Sequence, residues 1–447
     1  KEVEDGDLFV CTMGVTADRH DFIDEAISNG ASAIVVSRDV GEKSVPVIRV
    51  DDTNLELRKI SAKFYDYPCD NAYMIGVTGT NGKTTVAEIV YRLLGDTCAY
   101  IGTNGRKFKN KHFSMRNTTP DVDRLYMYFK EFIDAGCNTI CMEASSESYY
   151  RHRLDDIKYD VGIVTNITED HLNIHKTIEN YVDCKCQLVK HVKDDGYSIL
   201  NSSDKYFDKF KKEANGSIVS YGYKDSDTLK IEDYTLKRDK TIINFRYNNK
   251  SYEVISPLLG SFNVDNLAAS ILCLLCKGIG FEKIVERIKK LNQIEGRMET
   301  MPFVSKYTVI LDYAHTTDAL DNILTFLDMI KETRIITVTG SAGGREKSKR
   351  PGMGKVVLEK SDYVIFTMDD PRFEDPNKII DDLVSGSDKT NYERIVDRKK
   401  AIYKALDIAE AKDIVLIAGK GRDDYMAIDD KYLPYCDYDV IKSYYEQ

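Results

Sequence analysis

The sequence predicts an α/β protein whose parallel sheets are covered by helices on both faces. Continuous apolar segments of strand length alternate with amphipathic segments of helix length, which is typical of buried parallel strands. A loop that contains two glycines, Gly79–Thr85, lies between an apolar strand and a helix. At 447 residues the chain is too long for one ordinary core. We therefore expect three α/β domains, at residues 1–71, 72–297 and 298–447.

The first predicted domain alternates short strands with one helix, and the second begins with the glycine loop. In the first domain we expect strands at Leu8–Cys11, Ala33–Val36 and Val47–Val50, and a helix at Phe22–Asn29. In the second we expect strands at Ala72–Val77, Asn138–Met142, Val161–Asn166 and Tyr197–Leu200, a helix from Thr84 to Gly95, a strand-rich stretch over Thr228–Val254 and a helix over Asn263–Gly278.

The third predicted domain resumes the alternation of buried strands and helices. Its strands are predicted at Thr308–Asp312, Arg334–Thr339, Tyr363–Met368 and Asp413–Ala418. Its helices are predicted at Asp318–Lys331, Asn377–Ser385 and Arg398–Ala409. No fixed-period repeat interrupts this order, so the pattern favours separate α/β domains over a solenoid.

The composition indicates a soluble globular protein, with 42% hydrophobic and 30% charged residues. A formal net charge of -10 argues against a general electrostatic footprint for nucleic acid. The longest apolar run, Ala268–Cys276, is far shorter than the roughly 20 residues that span a bilayer. Ten cysteines without a disulfide framework or zinc-ribbon spacing fit reduced thiols. We therefore expect a cytoplasmic protein with no membrane insertion and no nucleic-acid partner.

The glycine loop predicts a binding site for a nucleoside triphosphate. A loop between a strand and a helix aims several backbone N–H groups at one point, where the helix dipole also favours an anion. Lys83 would reach the terminal phosphates and the Thr84 hydroxyl would bind Mg²⁺. Val77 occupies the first glycine position of the strict G-x-x-x-x-G-K-[ST] pattern, so Gly79 shapes the turn instead. The predicted nucleotide-binding residues of the loop are Gly79, Thr80, Asn81, Gly82, Lys83, Thr84 and Thr85.

Polar residues cluster at the carboxyl ends of predicted strands, where parallel sheets bind ligands. Glu143 ends the strand TICME, where a carboxylate can bind Mg²⁺ beside a nucleotide or simply cap a helix. Asp170 and His171 follow the strand at Val161–Asn166. Because the glycine loop precedes them in the same predicted sheet, the pattern favours the functional interpretation.

Motifs in a fixed order carry a resemblance to a known family. They are GTNGKTT in the glycine loop, RNTTPD at Arg116–Asp121, MEASS at Met142–Ser146, TEDHLNIH at Thr168–His175, GSFNVDNLAA at Gly260–Ala269, EGRME at Glu295–Glu299, DYAHT at Asp312–Thr316 and AGKG at Ala418–Gly421. The sequence resembles the Mur ligase superfamily over nearly its whole length. That resemblance implies a central P-loop-type parallel sheet and a Rossmann-like third domain.

Further motifs resemble the MurE type of this superfamily, which adds the third amino acid of the peptidoglycan stem. They are GGREKSKRPGMG at Gly343–Gly354, DDPR at Asp369–Arg372, GDLFVCTMG at Gly6–Gly14 and HDFIDEAISNGASAIV at His20–Val35. The resemblance implies that ATP phosphorylates a free carboxylate of a UDP-muramoyl dipeptide. An amine of a free diamino acid then attacks the acyl phosphate, so that an amide, ADP and phosphate are formed.

The resemblance also implies a catalytic set of Lys83, Glu143, His171 and Lys185. Thr84 and Glu143 would hold one Mg²⁺, and His171 would help to hold a second. Lys185 matches the family's carbamylated lysine, and a carbamate, unlike an ammonium, supplies anionic oxygens to a hard cation. From the residues alone, Lys185 would be an exposed lysine on a helix. Charge builds on the transferred phosphoryl group, so Lys83, Mg²⁺ and the loop amides must meet it there.

Three further groups of residues match binding positions of the family. Those that face ATP are Asn266, Arg297, Asp312 and His315. Those that match the UDP-substrate pocket are Val15, Thr16, Ala17, Asn117, Thr118, Thr119, Ser145, Arg151 and Arg153. Those that match the amino-acid pocket are Arg345, Asp369, Asp370, Arg372, Gly419 and Asp423. The third domain would close over ATP and expel water from a labile acyl phosphate.

Some positions depart from the family pattern near the substrates. Glu147 follows Ser146 where the family usually has His, and Arg151 replaces a usual Gln. Arg372 favours an amino acid with a distal carboxylate, because a guanidinium binds one through two hydrogen bonds. Asp370 stands where enzymes specific for meso-diaminopimelate usually have Asn, and it could neutralise Arg372 or receive the ammonium of lysine. The prediction favours meso-diaminopimelate and leaves L-lysine open.

The leading interpretation is therefore an ATP-dependent amide ligase of cell-wall synthesis that acts as a monomer. One alternative is a paralogue with the same chemistry and a different peptide or polyglutamate-type acceptor. The other is a nucleotide-dependent binding or scaffold protein that no longer turns over. A scaffold has no need of a complete phosphoryl-transfer set, which argues against the last alternative.

Overall fold

The computed structural model describes residues 3–13, 18–115 and 117–446. Its first region carries a small sheet of three parallel strands in the order β1-β2-β3. The elements are β1 (Leu8–Val10), α1 (Ile23–Ser28), β2 (Ala33–Val36), β3 (Val47–Arg49) and α2 (Thr53–Phe64). Arg58 of α2 fixes this region to the next one through an ion pair with Asp155 at 2.8 Å.

The central region contains an eleven-stranded sheet with a parallel middle and antiparallel margins. Its first half comprises β4 (Tyr73–Thr78), α3 (Lys83–Leu94), β5 (Cys98–Gly102), β6 (Gly105–Phe108), β7 (Lys111–Phe113), α4 (Val122–Asp134), β8 (Thr139–Glu143), α5 (Ser146–Tyr150) and β9 (Tyr159–Val164). Its second half comprises α6 (Leu172–His175), α7 (Ile178–Lys190), β10 (Val192–Asn201), α8 (Phe207–Glu213), β11 (Ser217–Gly222), β12 (Leu229–Leu236), β13 (Thr241–Tyr247), β14 (Lys250–Ser256), α9 (Phe262–Cys276) and α10 (Phe281–Ile288).

The strand order of this sheet is β14-β13-β12-β11-β10-β9-β4-β8-β5-β6-β7. The helices α3 and α9 cover one face, with Val90 and Ile271 among the fully buried residues of that core. Phe129 of α4 and Leu188 of α7 belong to the core on the other face. The two-sided burial explains why β4 reads as an uninterrupted apolar run.

The third region carries a six-stranded sheet in the order β15-β16-β20-β17-β18-β19, parallel except for β15. Its strands are β15 (Glu299–Thr300), β16 (Thr308–Asp312), β17 (Ile335–Thr339), β18 (Tyr363–Phe366), β19 (Tyr392–Arg394), β20 (Ile414–Ala418), and the separate hairpin β21 (Tyr425–Ile428) and β22 (Lys431–Pro434). Its helices are α11 (Thr317–Ile330), α12 (Lys349–Lys360), α13 (Pro376–Val384), α14 (Arg398–Ile408) and α15 (Asp437–Tyr445).

The predicted α/β fold class is confirmed, and the predicted strands and helices agree with the structure to within a few residues. The elements without an individual prediction include the helices α2, α4, α7, α10, α12 and α15 and the antiparallel strands β6 and β7. Helix α12 contains Pro351, Gly352 and Gly354, which are poor helix formers. A Cβ at Gly354 would lie 1.7 Å from the carbonyl oxygen of Leu383, so the glycine permits close packing of α12 on α13. No helix in the described parts of the chain is long and apolar enough to cross a membrane.

Candidate active site

A cleft of about 950 Å³ separates the central sheet from the third region. The carboxyl ends of β4, β8 and β9 border one wall, and the carboxyl ends of β16, β17, β18 and β20 border the other. Ligands of open parallel sheets bind at these ends, where helix N-termini and loop amides are available. The cleft is therefore where the two sheets would meet a common ligand.

The glycine loop forms the floor of the cleft and requires both of its glycines. Gly79 has φ +145°, and a Cβ there would lie 1.8 Å from the Oγ1 of Thr165. Gly82 has φ +87°, and a Cβ there would lie 2.3 Å from the Oδ1 of Asn266. Lys83 begins helix α3 and donates hydrogen bonds of 2.9 Å to the carbonyl oxygens of Gly79 and Thr80. The loop thus presents a lysine and a helix N-terminus to one point, which suits a phosphate.

Glu143 lies fully buried behind the loop and accepts several hydrogen bonds. Its donors are the hydroxyl of Tyr100 at 2.7 Å, the backbone N–H of Thr103 at 2.8 Å and the hydroxyl of Thr84 at 3.0 Å. These bonds fix the carboxylate beside the Thr84 hydroxyl. Two oxygen ligands side by side suit Mg²⁺, which commonly takes one or two protein oxygens and completes its shell with water and phosphate.

Within the described ranges, no cluster of acidic, histidine or cysteine ligands adds to Thr84 and Glu143. Among the described residues no group of three or more His, Cys, Asp or Glu side chains could hold a metal ion. This agrees with a Mg²⁺ that is bound together with nucleotide phosphates rather than in a dedicated protein cage. Thr84 and Glu143 are therefore the residues that fit the first predicted ion.

Lys185 lies on α7 and is 1% exposed, which corrects the expectation of an exposed helix lysine. Its Nζ donates a hydrogen bond of 2.7 Å to the carbonyl oxygen of Gly79 and lies 4.5 Å from the centre of the Tyr181 ring. Burial and repulsion by Lys83 hold the pKa of Lys185 well below its ordinary value. Burial therefore favours the neutral amine, which is the nucleophilic form of a lysine.

His171 has φ +57°, an unusual conformation for a residue other than glycine. Desolvation, followed by repulsion from Lys83, lowers the pKa of His171 to about 4, although Asp170 opposes this. Burial raises the pKa of Asp170, but attraction to His171, Lys349 and the other nearby cations outweighs burial and lowers it. His171 is therefore neutral near pH 7 and able to bind a cation through its ring nitrogen.

The third region reaches over the loop through several contacts. Arg297 donates a hydrogen bond of 3.0 Å to the Thr84 hydroxyl, and its guanidinium lies 4.5 Å from the centre of the Tyr313 ring. Asn81 donates a hydrogen bond of 2.9 Å to a carboxylate oxygen of Asp318. The contacts of Asp318 and Tyr313 join the two walls of the cleft.

The remaining predicted ATP residues border the same end of the cleft. The carboxylate of Asp312 accepts bonds of 2.7 Å from the backbone N–H groups of Met298 and Ala314. Asn266 is buried against the loop and donates a bond of 3.0 Å to Asn263. His315 is open to the cleft, and its Nδ1–H donates a hydrogen bond of 2.7 Å to the Tyr313 carbonyl oxygen. The structure therefore brings together every residue that was predicted to face ATP.

The predicted UDP-substrate residues fall into three groups. Asn117, Thr118, Thr119, Ser145 and Arg153 border the cleft next to Glu143. Arg151 is not among the residues that border the cleft, and its Nε donates a hydrogen bond of 2.8 Å to Glu147, which does border it, so the assignment of Arg151 stays a prediction. The predicted substrate residues Val15, Thr16 and Ala17, like Arg116 of the RNTTPD motif, lie outside the described residues.

The predicted amino-acid residues gather at the far end of the cleft. Arg345 and Arg372 border it, and neither forms an ion pair with a carboxylate in the described parts of the chain. Burial and repulsion by Arg372 lower the pKa of Arg345. Arg372 has φ +50° and donates a bond of 2.6 Å to the Gly343 carbonyl oxygen. Two guanidinium groups without a carboxylate partner suit a carboxylate of a ligand.

In the described parts of the chain, Asp370 forms its ion pair with Lys420 and not with Arg372. One of its carboxylate oxygens accepts a bond of 2.8 Å from Lys420 and a bond of 3.0 Å from the backbone N–H of Ala427. Lys420 also lies 3.8 Å from Asp369 and 3.7 Å from Asp423. The sequence analysis missed Lys420, although its position between two glycines after the buried strand β20 could have indicated it.

These features define an ATP-dependent ligase that forms an amide bond: a phosphate-binding loop, a carboxylate for Mg²⁺ and a second sheet that closes over them. Profiles of the Mur ligase middle domain and of the Mur ligase, glutamate ligase domain match residues 77–274 and 296–421. The chain belongs to the Mur ligase family.

Individual relatives are similar along their whole length. The UDP-N-acetylmuramoyl-L-alanyl-D-glutamate--2,6-diaminopimelate ligase of Bacillus cereus is 36% identical over 99% of this chain and 92% of its own length. The ligase of the same name from Fusobacterium nucleatum is 38% identical over 99% of this chain and 92% of its own length.

Solved structures show the same architecture. A UDP-N-acetylmuramoyl-L-alanyl-D-glutamate--2,6-diaminopimelate ligase has a TM-score of 0.68 at 28% identity, and the alignment covers 100% of this chain and 93% of that one. The Thermotoga maritima MurF ligase in complex with ADP has a TM-score of 0.68 at 21% identity, over 93% of this chain and 92% of that one. The second likeness supports the fold alone.

Proposed function

We propose that this chain ligates meso-diaminopimelate to UDP-N-acetylmuramoyl-L-alanyl-D-glutamate in peptidoglycan synthesis. The observation that carries this proposal is the pair of guanidinium groups, Arg345 and Arg372, at the far end of a cleft whose other end is a phosphate-binding loop. Relatives named as diaminopimelate ligases, 34–38% identical over nearly the whole chain, support it. Lys420 and the backbone N–H of Ala427 both donate hydrogen bonds to Asp370. For this reason we favour a diamino acid with a distal carboxylate over lysine.

The reaction joins three substrates in two steps. A carboxylate oxygen of the dipeptide attacks the γ-phosphorus of ATP, and the bond between that phosphorus and the bridging oxygen breaks as ADP leaves. The neutral amine then attacks the acyl carbon, the bond to the phosphate oxygen breaks, and the amine gives up a proton. Mg²⁺ would neutralise charge on the phosphates when it is bound to Thr84 and Glu143.

This chain's own residues supply the remaining functions. Lys83 and the amides of the glycine loop hold the phosphates and stabilise charge on the transferred group. Asn266, Arg297 and Asp312 bind the nucleoside, and Arg297 links closure of the cleft to the Thr84 hydroxyl. Thr119, Ser145 and Arg153, with their neighbours along the same wall, bind the UDP-muramoyl peptide. Closure excludes water from the acyl phosphate.

We further propose that Lys185 is carbamylated and, together with His171, binds a second Mg²⁺. The neutral amine that burial favours would attack CO₂, and the resulting carbamate would lie beside the loop at Gly79. Solution ¹³C NMR after incubation with ¹³C-bicarbonate tests this. A carbamate resonance in the wild type that is absent from Lys185→Met supports the proposal, and identical spectra refute it.

The other assignments complete this proposal. They are the three domains at residues 1–71, 72–297 and 298–447, binding of the amino acid by Asp369, Gly419 and Asp423 together with the two arginines, a monomeric state and a cytoplasmic location. Each of the three regions carries its own main sheet, which supports the division into domains.

The test of the main proposal is phosphate release from ATP and Mg²⁺ with the UDP-muramoyl dipeptide. The reaction is run with meso-diaminopimelate, with L-lysine or without amine, and Lys83→Met is the inactive control. Release that requires meso-diaminopimelate supports the proposal. Release with lysine alone refutes the assigned amino acid, and no amine-dependent release favours a paralogue with another acceptor.

A further inference from the structure

Two lysines that lie two positions apart in the third region have contrasting surroundings. Lys347 is 67% exposed, and its Nζ lies 3.2 Å from a carboxylate oxygen of Glu374 outside the cleft. Lys349, the first residue of α12, is 18% exposed and borders the cleft. Its Nζ lies 3.9 Å from the Oδ1 of Asp170, across the boundary between the two walls. The predicted catalytic set contains neither lysine.

The N–H donors of the Lys349 ammonium have no acceptor in the described parts of the chain. A distance of 3.9 Å to Asp170 is too long for a hydrogen bond. In the part of the chain that the structure describes, no group accepts a hydrogen bond from Lys349. An ammonium has three donors and is costly to enclose without acceptors. The side chain is therefore suited to a ligand with several acceptor oxygens.

The surroundings of Asp170 indicate where that ligand would carry its charge. Asp170 is 8% exposed and attracts the ammonium groups of Lys83 and Lys349, which form a cluster with it. Lys83 comes from the glycine loop and Lys349 from the opposite wall. A phosphoryl group in transfer spreads negative charge over three oxygens, so cations on opposite sides stabilise it better than cations on one side.

We infer that Lys349 is a catalytic residue that contacts the transferred phosphoryl group from the third region, opposite Lys83. The inference rests on the proposed function, because it assigns a role in that reaction. Asp170 holds the ammonium near the cluster when the cleft is closed. In the first step the dipeptide oxygen bonds to the γ-phosphorus while the bond to ADP breaks, and Lys349 donates hydrogen bonds to the non-bridging oxygens throughout.

The experiment compares Lys349→Met, which keeps the length and removes the charge, with Lys349→Arg, which keeps the charge. Lys347→Met is the matched control, because it removes a lysine from the same segment outside the cleft. We expect Lys349→Met to lower kcat by about 10²- to 10³-fold and to change the KM for ATP by less than about 3-fold. Lys349→Arg should recover part of the loss, and Lys347→Met should match the wild type.

A second measurement identifies the affected step and guards against misfolding. Rapid-quench single turnovers without amine measure ADP formation, and ADP binding with thermal unfolding verifies that each variant is folded. Slow ADP formation in a folded Lys349→Met supports the inference. Normal ADP formation, or a raised KM for ATP with unchanged kcat, overturns it. If the wild type releases no phosphate with any amine, the proposed function is refuted. If the wild type is active and Lys349→Met is equally active, only the inference about Lys349 is refuted.

Discussion

Lys185 and Lys420 are equally buried, at 1% exposure each, yet their surroundings give them opposite chemistry. Lys185 has a backbone carbonyl as its hydrogen-bond acceptor and another lysine nearby, and burial holds its pKa well below the ordinary value. Burial also lowers the pKa of Lys420, but three aspartates outweigh it and the net shift is upward. Carboxylate partners, rather than depth, therefore decide whether a buried lysine stays charged.

The difference assigns the two lysines different tasks. Under the carbamylation proposed above, Lys185 would serve as an anionic ligand beside the glycine loop. A permanent ammonium cannot react, but it can organise Asp369 and Asp370 on the loop that also carries Arg372. Lys185 thus lies at the end of the cleft that contains the glycine loop, and Lys420 lies at the end that contains Arg372. The predictions below test each half of this contrast.

The largest expected effect is at Lys185. Lys185→Met should lower kcat by about 10³-fold, because no anionic ligand for the metal can form at that position. Added formate or acetate should restore part of the activity by entering the space beside Gly79. Lys190→Met is the control, because Lys190 lies on the same helix and forms a surface ion pair with Glu213 at 2.7 Å. Full activity of Lys185→Met in steady-state phosphate release would contradict the assignment.

The next largest effect is on stability, at Lys420. Lys420→Met leaves Asp369 and Asp370 buried without their cation, which should lower the free energy of unfolding by about 3–5 kcal/mol. The double variant Lys420→Met/Asp370→Asn should recover part of the loss, because one unpaired charge is removed. Urea unfolding measures both. A loss below about 1 kcal/mol would show that solvent screens this cluster.

Local patterns predicted the fold and the ATP end of the site well. The strand–loop–helix at Gly79–Thr85 and the strand end at Glu143 depend on residues that are adjacent in sequence, so their geometry follows from secondary structure alone. Helix α12 was missed because glycine, here Gly354, has a low helix propensity. A glycine is needed at this position because the carbonyl oxygen of Leu383, in another helix, leaves no space for a Cβ. Contacts of that kind leave no periodic signal.

The amino-acid end was predicted less well, because its residues act through distant partners. Asp370 was left open between two roles, and the sequence did not indicate its observed partner Lys420, fifty positions further on. Arg151 was placed in the substrate pocket, and its ion pair with Glu147, one helical turn earlier, was not predicted. The positive φ angles of His171 and Arg372 also could not be predicted, because neither histidine nor arginine signals this backbone conformation in a sequence.

A smaller effect should appear in substrate choice, at Arg372. Arg372→Met should reduce the ratio of kcat/KM for meso-diaminopimelate to that for L-lysine by about 10- to 100-fold, because a guanidinium partner of the distal carboxylate is lost. Asp370→Asn should leave the ratio within about 3-fold of the wild type, because Lys420 and Ala427 occupy this side chain. A larger change of preference in Asp370→Asn than in Arg372→Met would reverse the assignment.

The smallest effect concerns Asp423, the carboxylate that Lys420 approaches only to 3.7 Å. Burial, with repulsion by Asp369 and Asp370, raises the pKa of Asp423 to about 6 from 3.8, although Lys420 opposes this. Between pH 3.8 and about pH 6, the Asp423 carboxyl therefore keeps a proton in the native state that it has released in the unfolded chain. It follows that the free energy of unfolding contributed by Asp423 is fully present below pH 3.8 and is lost as the pH rises through about 6.

Urea unfolding at a series of pH values from 4 to 7 measures this contribution. Asp423→Asn should flatten the decline in stability over that window by about 1–2 kcal/mol, since partial exposure of the side chain weakens the full linkage effect. Asp424→Asn, a change at the exposed neighbour, controls for the loss of one negative charge. If the slope of Asp423→Asn equals that of the wild type, Asp423 is ionised throughout the window. Lys420 would then neutralise all three aspartates, and its contrast with Lys185 would be sharper than the distances indicate.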